Sequence, residues 1–421
     1  MCHRMNRSYY RWELLALLSC AFFFHQADRA IFGVLLTSIN ADLKLSDDQL
    51  GFAASALFFT IALMVPIAGY AADRFSKKWI ITASIIFWSI ATAMTGLARG
   101  ITGIVLFRSV ATAGGESFYA PAAYPLLAAY HKTTRSLAMA VHQGALYVGL
   151  MVSGYLAAWI NGWVGWRGTF FLFGAGGVLL GLLFIFRLRD IPKQDEMVTA
   201  VENPSTGVSV LEMLKHFFMN PTALLLTVGF SAIVFVNNAY VVWAPAFIEV
   251  KFSVSQTTAA GGVMLYHHFT AFCGILLGGV LTDRLIRRFP RFRMFLQSSV
   301  MLCGAPAIYY FGCGSTILTA WIATATFGLF RGLYETNTHA AMFDVVKPEY
   351  RGSTVGLMTM SAFLLGSLSP ILMGRLSSIY GKADGLSYGF AVLSIAYIVG
   401  AVAVLLAAVW TFRRNRVVES I

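Results

Sequence analysis

Charged side chains are scarce in this sequence. Asp, Glu, Lys and Arg make up 12% of its 421 residues, whereas 58% are hydrophobic; an average globular chain is about a quarter charged. That shortage excludes a soluble domain, and apolar runs of 18 or more residues are the mark of helices that cross a bilayer. Acids are scarcer than bases, 19 against 31, for a net charge of +12. In a soluble protein such an excess would suggest nucleic acid; its distribution along this chain gives it another meaning. Cysteine is rare too. The five (Cys2, Cys20, Cys273, Cys303, Cys313) lack metal-site spacing and fall mostly inside apolar runs, where cysteine acts as a small hydrophobe, so no disulfide is expected. A Gly-rich phosphate loop, a His-x-x-x-His pair and a Ser elbow are all missing, which argues against a membrane-embedded enzyme. No metal and no cofactor are expected.

What is present is hydropathy in blocks. Twelve candidate spans lie at about 12–36, 48–72, 78–98, 101–130, 135–160, 166–188, 218–248, 256–282, 292–313, 315–346, 351–379 and 386–412, numbered 1 to 12 below. The expected fold is an all-α membrane protein with two six-helix halves, residues 1–190 and 217–421, joined by a polar linker, 191–216. The first run follows Arg4, Arg7 and Arg11 as in a signal sequence, but it is too long and lacks a small-residue cleavage site, so it counts as span 1.

With the N-terminus in the cytoplasm, alternate loops hold 22 of the 31 basic residues and the opposite loops six. This asymmetry follows the positive-inside rule and places both termini in the cytoplasm. The surplus of positive charge therefore reports orientation, and nucleic acid is not an expected partner.

A repeat relates the halves. Gly69, Asp73, Arg74, Lys77 and Lys78 follow span 2, and Gly279, Asp283, Arg284, Arg287 and Arg288 follow span 8, with a constant offset of 210. A second register, offset 216, aligns Arg135 with Arg351 and Gly165 with Gly381. Repeated halves around a midplane cavity are the architecture of secondary transporters.

Six charges lie inside spans: Asp28, Arg29, Arg108, Glu116, Arg331 and Glu335. A charge at bilayer depth costs at least about 2.5–3.5 kcal/mol, so each marks a partner or a water-filled path. In span 1, His25, Asp28 and Arg29 are spaced i, i+3 and i+4, on one helix face, with Gln26 beside them. Arginine's forked donors suit a carboxylate or phosphate; the alternative is a charge pair that fixes helix packing. In span 4, Arg108 precedes Glu116, which follows Gly114-Gly115. A carboxyl among apolar helices can take up and release a proton, or else it is the static partner of Arg29 or Arg108. Tyr119 lies one turn on, and Pro121 and Pro125 should bend the helix.

Span 5 adds His142, Gln143 and Tyr147. The last two suit solute hydroxyls, while His142 is either a proton relay or a packing residue. In span 7, Asn237, Asn238, Tyr240 and Trp243 combine amides with aromatic planes, suited to sugar hydroxyls and ring faces or to bonds between helices. The adjacent His267 and His268 of span 8 face different ways, and no second ligand lies three or four residues away. Span 10 carries Arg331, Glu335 and His339, each four residues apart, as a secondary polar stripe in which Arg331 and Glu335 can neutralise each other.

The Gly-x-x-x-Asp-Arg-x-x-basic-basic motif in both halves, with twelve spans and a polar linker, resembles the major facilitator superfamily over essentially the whole chain. The resemblance implies that Gly69, Asp73, Arg74, Gly279, Asp283 and Arg284 belong to a cytoplasmic gate. Asp28-Arg29 with Glu116 is similar to the anion:cation symporter branch, which carries hexuronates and other sugar acids, although His25-Gln26 stands where that branch usually has Asn-Tyr. That resemblance implies that Arg29 binds the solute carboxylate and that Asp28 and Glu116 carry the proton, with Arg108 and His142 beside them. The expectation is a proton-coupled importer of a small organic anion in a bacterial-type inner membrane, acting as a monomer. Spinster-like lipid exporters share the Asp-Arg pair and the span 4 acid, so export of an amphiphile such as a lysolipid or drug is the alternative.

Overall fold

The computed structural model describes residues 2–190, 210–286 and 288–417, and they are almost entirely helical. Among them, ten helices are long and apolar enough to cross a bilayer. The difference from twelve has two causes. The stretch Leu137–Arg187 has 51 residues, roughly 77 Å at 1.5 Å per residue, more than twice the roughly 30 Å hydrocarbon core. It is interrupted at Gly165 (φ 72°, ψ 172°) and so contains spans 5 and 6. Span 4, in turn, is broken into Ile101–Gly103, a π-helical Ile104–Ala111, Thr112–Glu116 and Tyr119–Tyr130. Pro121 has no N–H to give to the carbonyl of Ser117, so the helix opens one turn before the proline.

The other crossings are Tyr9–Val34, Asp47–Arg74, Lys77–Thr95, Pro221–Phe252, Gln256–Leu285, Phe292–Cys313, Ile317–Phe343, Pro348–Tyr380 and Lys382–Asn415. Residues 191–209 of the expected linker lie outside the described residues. Its last part is not irregular: Val210–Phe218 is a helix that continues past the expected boundary at 217, and the Tyr350 hydroxyl donates to Glu212 at 2.9 Å.

The repeat is written into the backbone. Among the described residues the positive-φ glycines are Gly165 and Gly381 (φ 85°), the pair that the sequence aligns, and only glycine reaches that region without steric cost. The positive-φ non-glycines, Lys44 and Ser253, lie at equivalent places as well, each two residues before a serine N-cap. Ser46 accepts from the amide of Gln49 in a capping box and Ser255 from that of Thr258, which starts spans 2 and 8 alike.

Polar contacts between the halves gather at the end opposite the Asp-Arg motifs. There Thr37 donates to Glu249 (2.8 Å), Asn161 to Gln256 (2.7 Å) and Gln256 to the Val34 carbonyl (2.8 Å). Lys382 pairs with Asp47 at 3.2 Å and Arg375 with Asp48 at 3.4 Å. Spans 1 and 7 touch backbone to backbone: a Cβ on Gly33 would stand 2.3 Å from the Val241 carbonyl oxygen. Gly33→Leu should therefore wedge this end open. The expected result is severalfold faster labelling of a cysteine placed at Ser38 by an impermeant maleimide; an unchanged rate would mean that this contact does not hold the end shut.

Candidate functional site

Span 1 carries its polar residues in the second half of the crossing Tyr9–Val34, and the charged chains diverge from one another. The Arg29 Nε donates to Glu116 Oε2 at 2.8 Å. Glu116 is fully buried, whereas Arg29 keeps 20% of its side chain open. Asp28 turns toward span 3, where the Thr92 hydroxyl donates to its Oδ2 at 3.3 Å, and among the described residues its Oδ1 has no hydrogen-bond partner. Asp28 and Arg29, adjacent in sequence, thus serve different helices.

Arg108 engages neither carboxylate directly. Its Nη2 donates to the backbone carbonyls of Asp28 (2.9 Å) and Arg29 (3.1 Å), and its guanidinium lies 5.7 Å from the Phe32 ring centroid. The π-helical turn brings it there, a feature common at functional sites. Arg108 therefore fastens span 4 to span 1, and its positive charge offsets the two buried acids.

Glu116 is the last residue of its helical segment before the break at Ser117-Phe118. A negative charge at a helix C-terminus is disfavoured by the backbone dipole, and Arg29 compensates for it. The carbonyl of Glu116, left without a continuing helix, accepts from His25 Nε2 at 3.3 Å. Gln26 donates to the other imidazole nitrogen at 3.0 Å, which fixes His25 as the Nε2–H tautomer. His25 and Gln26 are both buried; they brace the broken end of span 4. The two glycines before Glu116 differ in role: Gly115 packs on Trp88, whereas a Cβ on Gly114 would meet nothing within 4 Å. The open space is thus beside Gly114, while the Glu116 carboxylate itself is enclosed.

Tyr119 gives its hydroxyl hydrogen to the Leu18 carbonyl (2.6 Å), so His142 Nε2, 3.0 Å away, must be the donor to the Tyr119 oxygen. His142 also stacks on Phe22 at 4.5 Å and is buried. Gln143, half-buried, accepts from Tyr124 at 3.0 Å, a partner that the sequence did not single out. One turn further, Tyr147 donates to Glu335 Oε2 at 3.1 Å and joins the halves at mid-depth.

The stripe of span 10 is not continuous. The helix breaks at Thr336-Asn337 directly after Glu335, as span 4 breaks after Glu116. His339 is consequently exposed and leaves the stripe. Arg331 Nη2 lies 3.4 Å from Glu335 Oε2, with Glu335 one third open, and Arg331 Nη1 lies 3.2 Å from His267 Nε2. His267 takes the place of His339, because a close crossing of spans 8 and 10 brings it there: a Cβ on Gly328 would stand 2.2 Å from its carbonyl oxygen. No pattern within one helix could have revealed that pair.

In span 7, Trp243 is fully buried and donates its indole N–H to the Pro370 carbonyl at 3.0 Å, so it joins spans 7 and 11. Asn238 is buried against Gly366, and Asn237 is half-buried. Tyr240 packs its ring 4.6 Å from that of His267. At the motif end, Asp73, Arg74, Asp283 and Arg284 are exposed, Arg74 lies over the Tyr70 ring at 4.5 Å, and Gly69 and Gly279 have room around them.

The site thus offers two arginine–glutamate pairs, one in each half, with the Arg29 and Glu335 side chains partly exposed. It resembles known transporters in sequence and in fold. A family model described as Major Facilitator Superfamily matches residues 18–370. Protein spinster homolog 1 of Xenopus tropicalis is 25% identical over 400 residues, covering 88% of this chain and 73% of that protein. The probable galactarate/D-glucarate transporter GudP of Bacillus subtilis is 22% identical over 404 residues, covering 89% of this chain and 87% of that one. Among solved structures, an inward-facing, unoccupied bacterial homolog of the human lysosomal transporter spinster superposes with a TM-score of 0.84 over 98% of this chain and 99% of that one, at 22% identity. The chain accordingly belongs to the Major Facilitator Superfamily and is an integral membrane transporter, not an enzyme.

Proposed function

We propose that this protein is a proton-coupled symporter that imports a small organic anion, a hexuronate or another sugar acid, by alternating access. The observation that carries the reading is the partly open Arg29 on the buried Glu116. A solute carboxylate that docks on the free donors of Arg29 competes with Glu116 for the same cation, and protonation of Glu116 removes that competition. Proton and anion then enter together, and the buried charge stays balanced. Asp28, with one carboxylate oxygen unpartnered, is the second proton carrier. Gln143 and Asn237 supply hydroxyl contacts, while His25, Gln26, Tyr119 and His142 position the pair. The kinship with GudP supports a sugar acid.

The contacts at the far end and the exposed motif aspartates support an inward-open form, with the motif end and both termini in the cytoplasm of a cell with a bacterial-type inner membrane, and a monomer as the working unit. Tyr147→Phe should change uptake about fivefold, the worth of one hydrogen bond of about 1 kcal/mol. The change should vanish in a Glu335→Ala background, which removes the acceptor, if the two act as one latch; additive effects would separate them.

The kinship with spinster homolog 1 leaves a second reading open, export of an amphiphile by antiport. Uptake by proteoliposomes under an imposed pH gradient, assayed with uronates, aldarates, other organic acids and lysolipids, decides between the two. Acid-driven anion uptake is expected; lysolipid movement without anion uptake would replace the symporter with the exporter.

A further inference from the structure

A cavity of about 600 Å³ opens at the motif end of the second half, between the start of span 9 and the end of span 12. It is lined by Arg288, Arg291, Arg413 and Arg416 together with Phe289, Phe292 and Phe295. We propose that it is a binding site for the headgroup of an anionic phospholipid.

The positive-inside rule accounts for arginines in this region, but not for four of them converging on one aromatic pocket. Arginine's planar fork matches phosphate oxygens, and basic pockets between helices at the cytoplasmic surface suit anionic headgroups. Asp344, which lies within electrostatic reach of Arg416, is already held by Arg293 through both oxygens at 2.7 Å, so it does not satisfy the lining arginines. Phe289 and Phe295 are exposed, and Trp410 is exposed near the end of span 12, which marks the bilayer interface. A soluble phosphate would gain nothing from those rings, whereas a lipid would lay its glycerol and upper chains against them.

The repeat supplies an internal comparison. Arg288 closes the second copy of the motif, and its counterpart in the first copy, Lys78, donates to the carbonyl of Ile185 at 3.0 Å. In the first half this position fastens one helix end; in the second it lines an open basic cavity. A bound lipid would therefore tether the second motif loop alone to the membrane surface.

The test uses the full chain, purified and delipidated in detergent, with native mass spectrometry and thermal melting in added phosphatidylglycerol, phosphatidylcholine or inorganic phosphate. Phosphatidylglycerol should stay bound and raise the melting temperature, and the other two should not. The double variant Arg291→Gln/Arg413→Gln should bind phosphatidylglycerol roughly 30-fold more weakly, given what each basic side chain contributes near anionic lipid, and melt like the wild type in phosphatidylcholine. Three results would overturn the proposal: equal binding of both lipids by the wild type, undiminished phosphatidylglycerol binding by the double variant, or stabilisation by phosphate equal to that by lipid, which would make this a free-anion site. The wild-type comparison of lipids decides the matter even if the variant does not fold.

Discussion

Replacing Arg29 with alanine is expected to reduce anion binding and uptake at least a hundredfold. The substitution removes the cation that the solute would use and also leaves Glu116, fully buried, without its ion-pair partner. Each charge-assisted hydrogen bond that the guanidinium would give the solute carboxylate is worth about 1.5–3 kcal/mol, so losing two of them corresponds to a factor of a hundred or more. Arg29→Lys is the sharper variant. Lysine keeps the charge but offers a point donor in place of a fork, so the ion pair with Glu116 can re-form while two-oxygen docking of a solute carboxylate cannot. Binding should remain severely weakened in the lysine variant, with melting temperature and gel-filtration profile near those of the wild type. If either variant bound the anion as the wild type does, Arg29 would have no place in recognition.

Glu116→Gln should separate transport from the proton gradient. Each pH unit across the bilayer is worth about 1.4 kcal/mol per proton, so a coupled carrier can concentrate its solute about tenfold per unit. The glutamine is nearly isosteric, and its amide oxygen can still accept from Arg29 Nε, so the local geometry survives. Solute exchange between the two faces should persist within about tenfold, whereas accumulation under a gradient of one unit should fall toward an even distribution. Asp28→Asn should reduce accumulation as well, because its unpartnered oxygen is the other available proton acceptor among the buried acids of the first half. Undiminished acid-driven accumulation in the glutamine variant would remove Glu116 from the coupling.

Much of this architecture was legible because it depends on local rules. The twelve hydropathy blocks, the repeated motif and the pairing of Gly165 with Gly381 follow from composition and spacing, and the two glycines reappear as the positive-φ hinges after spans 5 and 11. The charged cluster was legible as a list, since ionised groups at bilayer depth are too costly to be incidental. Its wiring was not. Three residues on one face of span 1 suggested a single cluster, yet Asp28 and Arg29 turn to spans 3 and 4. His339 followed Glu335 at helical spacing, and a break at Thr336-Asn337, marked by neither proline nor glycine, removed it. Trp243 has the chemistry of a sugar platform, but its indole is taken by Pro370. In each case the deciding contact comes from another helix, which a one-dimensional pattern does not record.

The grip of Arg108 on the carbonyls of Asp28 and Arg29 has a thermodynamic consequence. With spans 1 and 4 bolted together through main-chain atoms, the first-half portion of the site travels as one piece when the protein changes shape. The solute would meet the same cradle from either side of the membrane. Any unequal affinity between the two faces must then originate in how Glu335, Arg331 and their neighbours in the second half close over the opposite flank of the solute. Directionality could thus be retuned by editing that flank alone, with the anion cradle left intact.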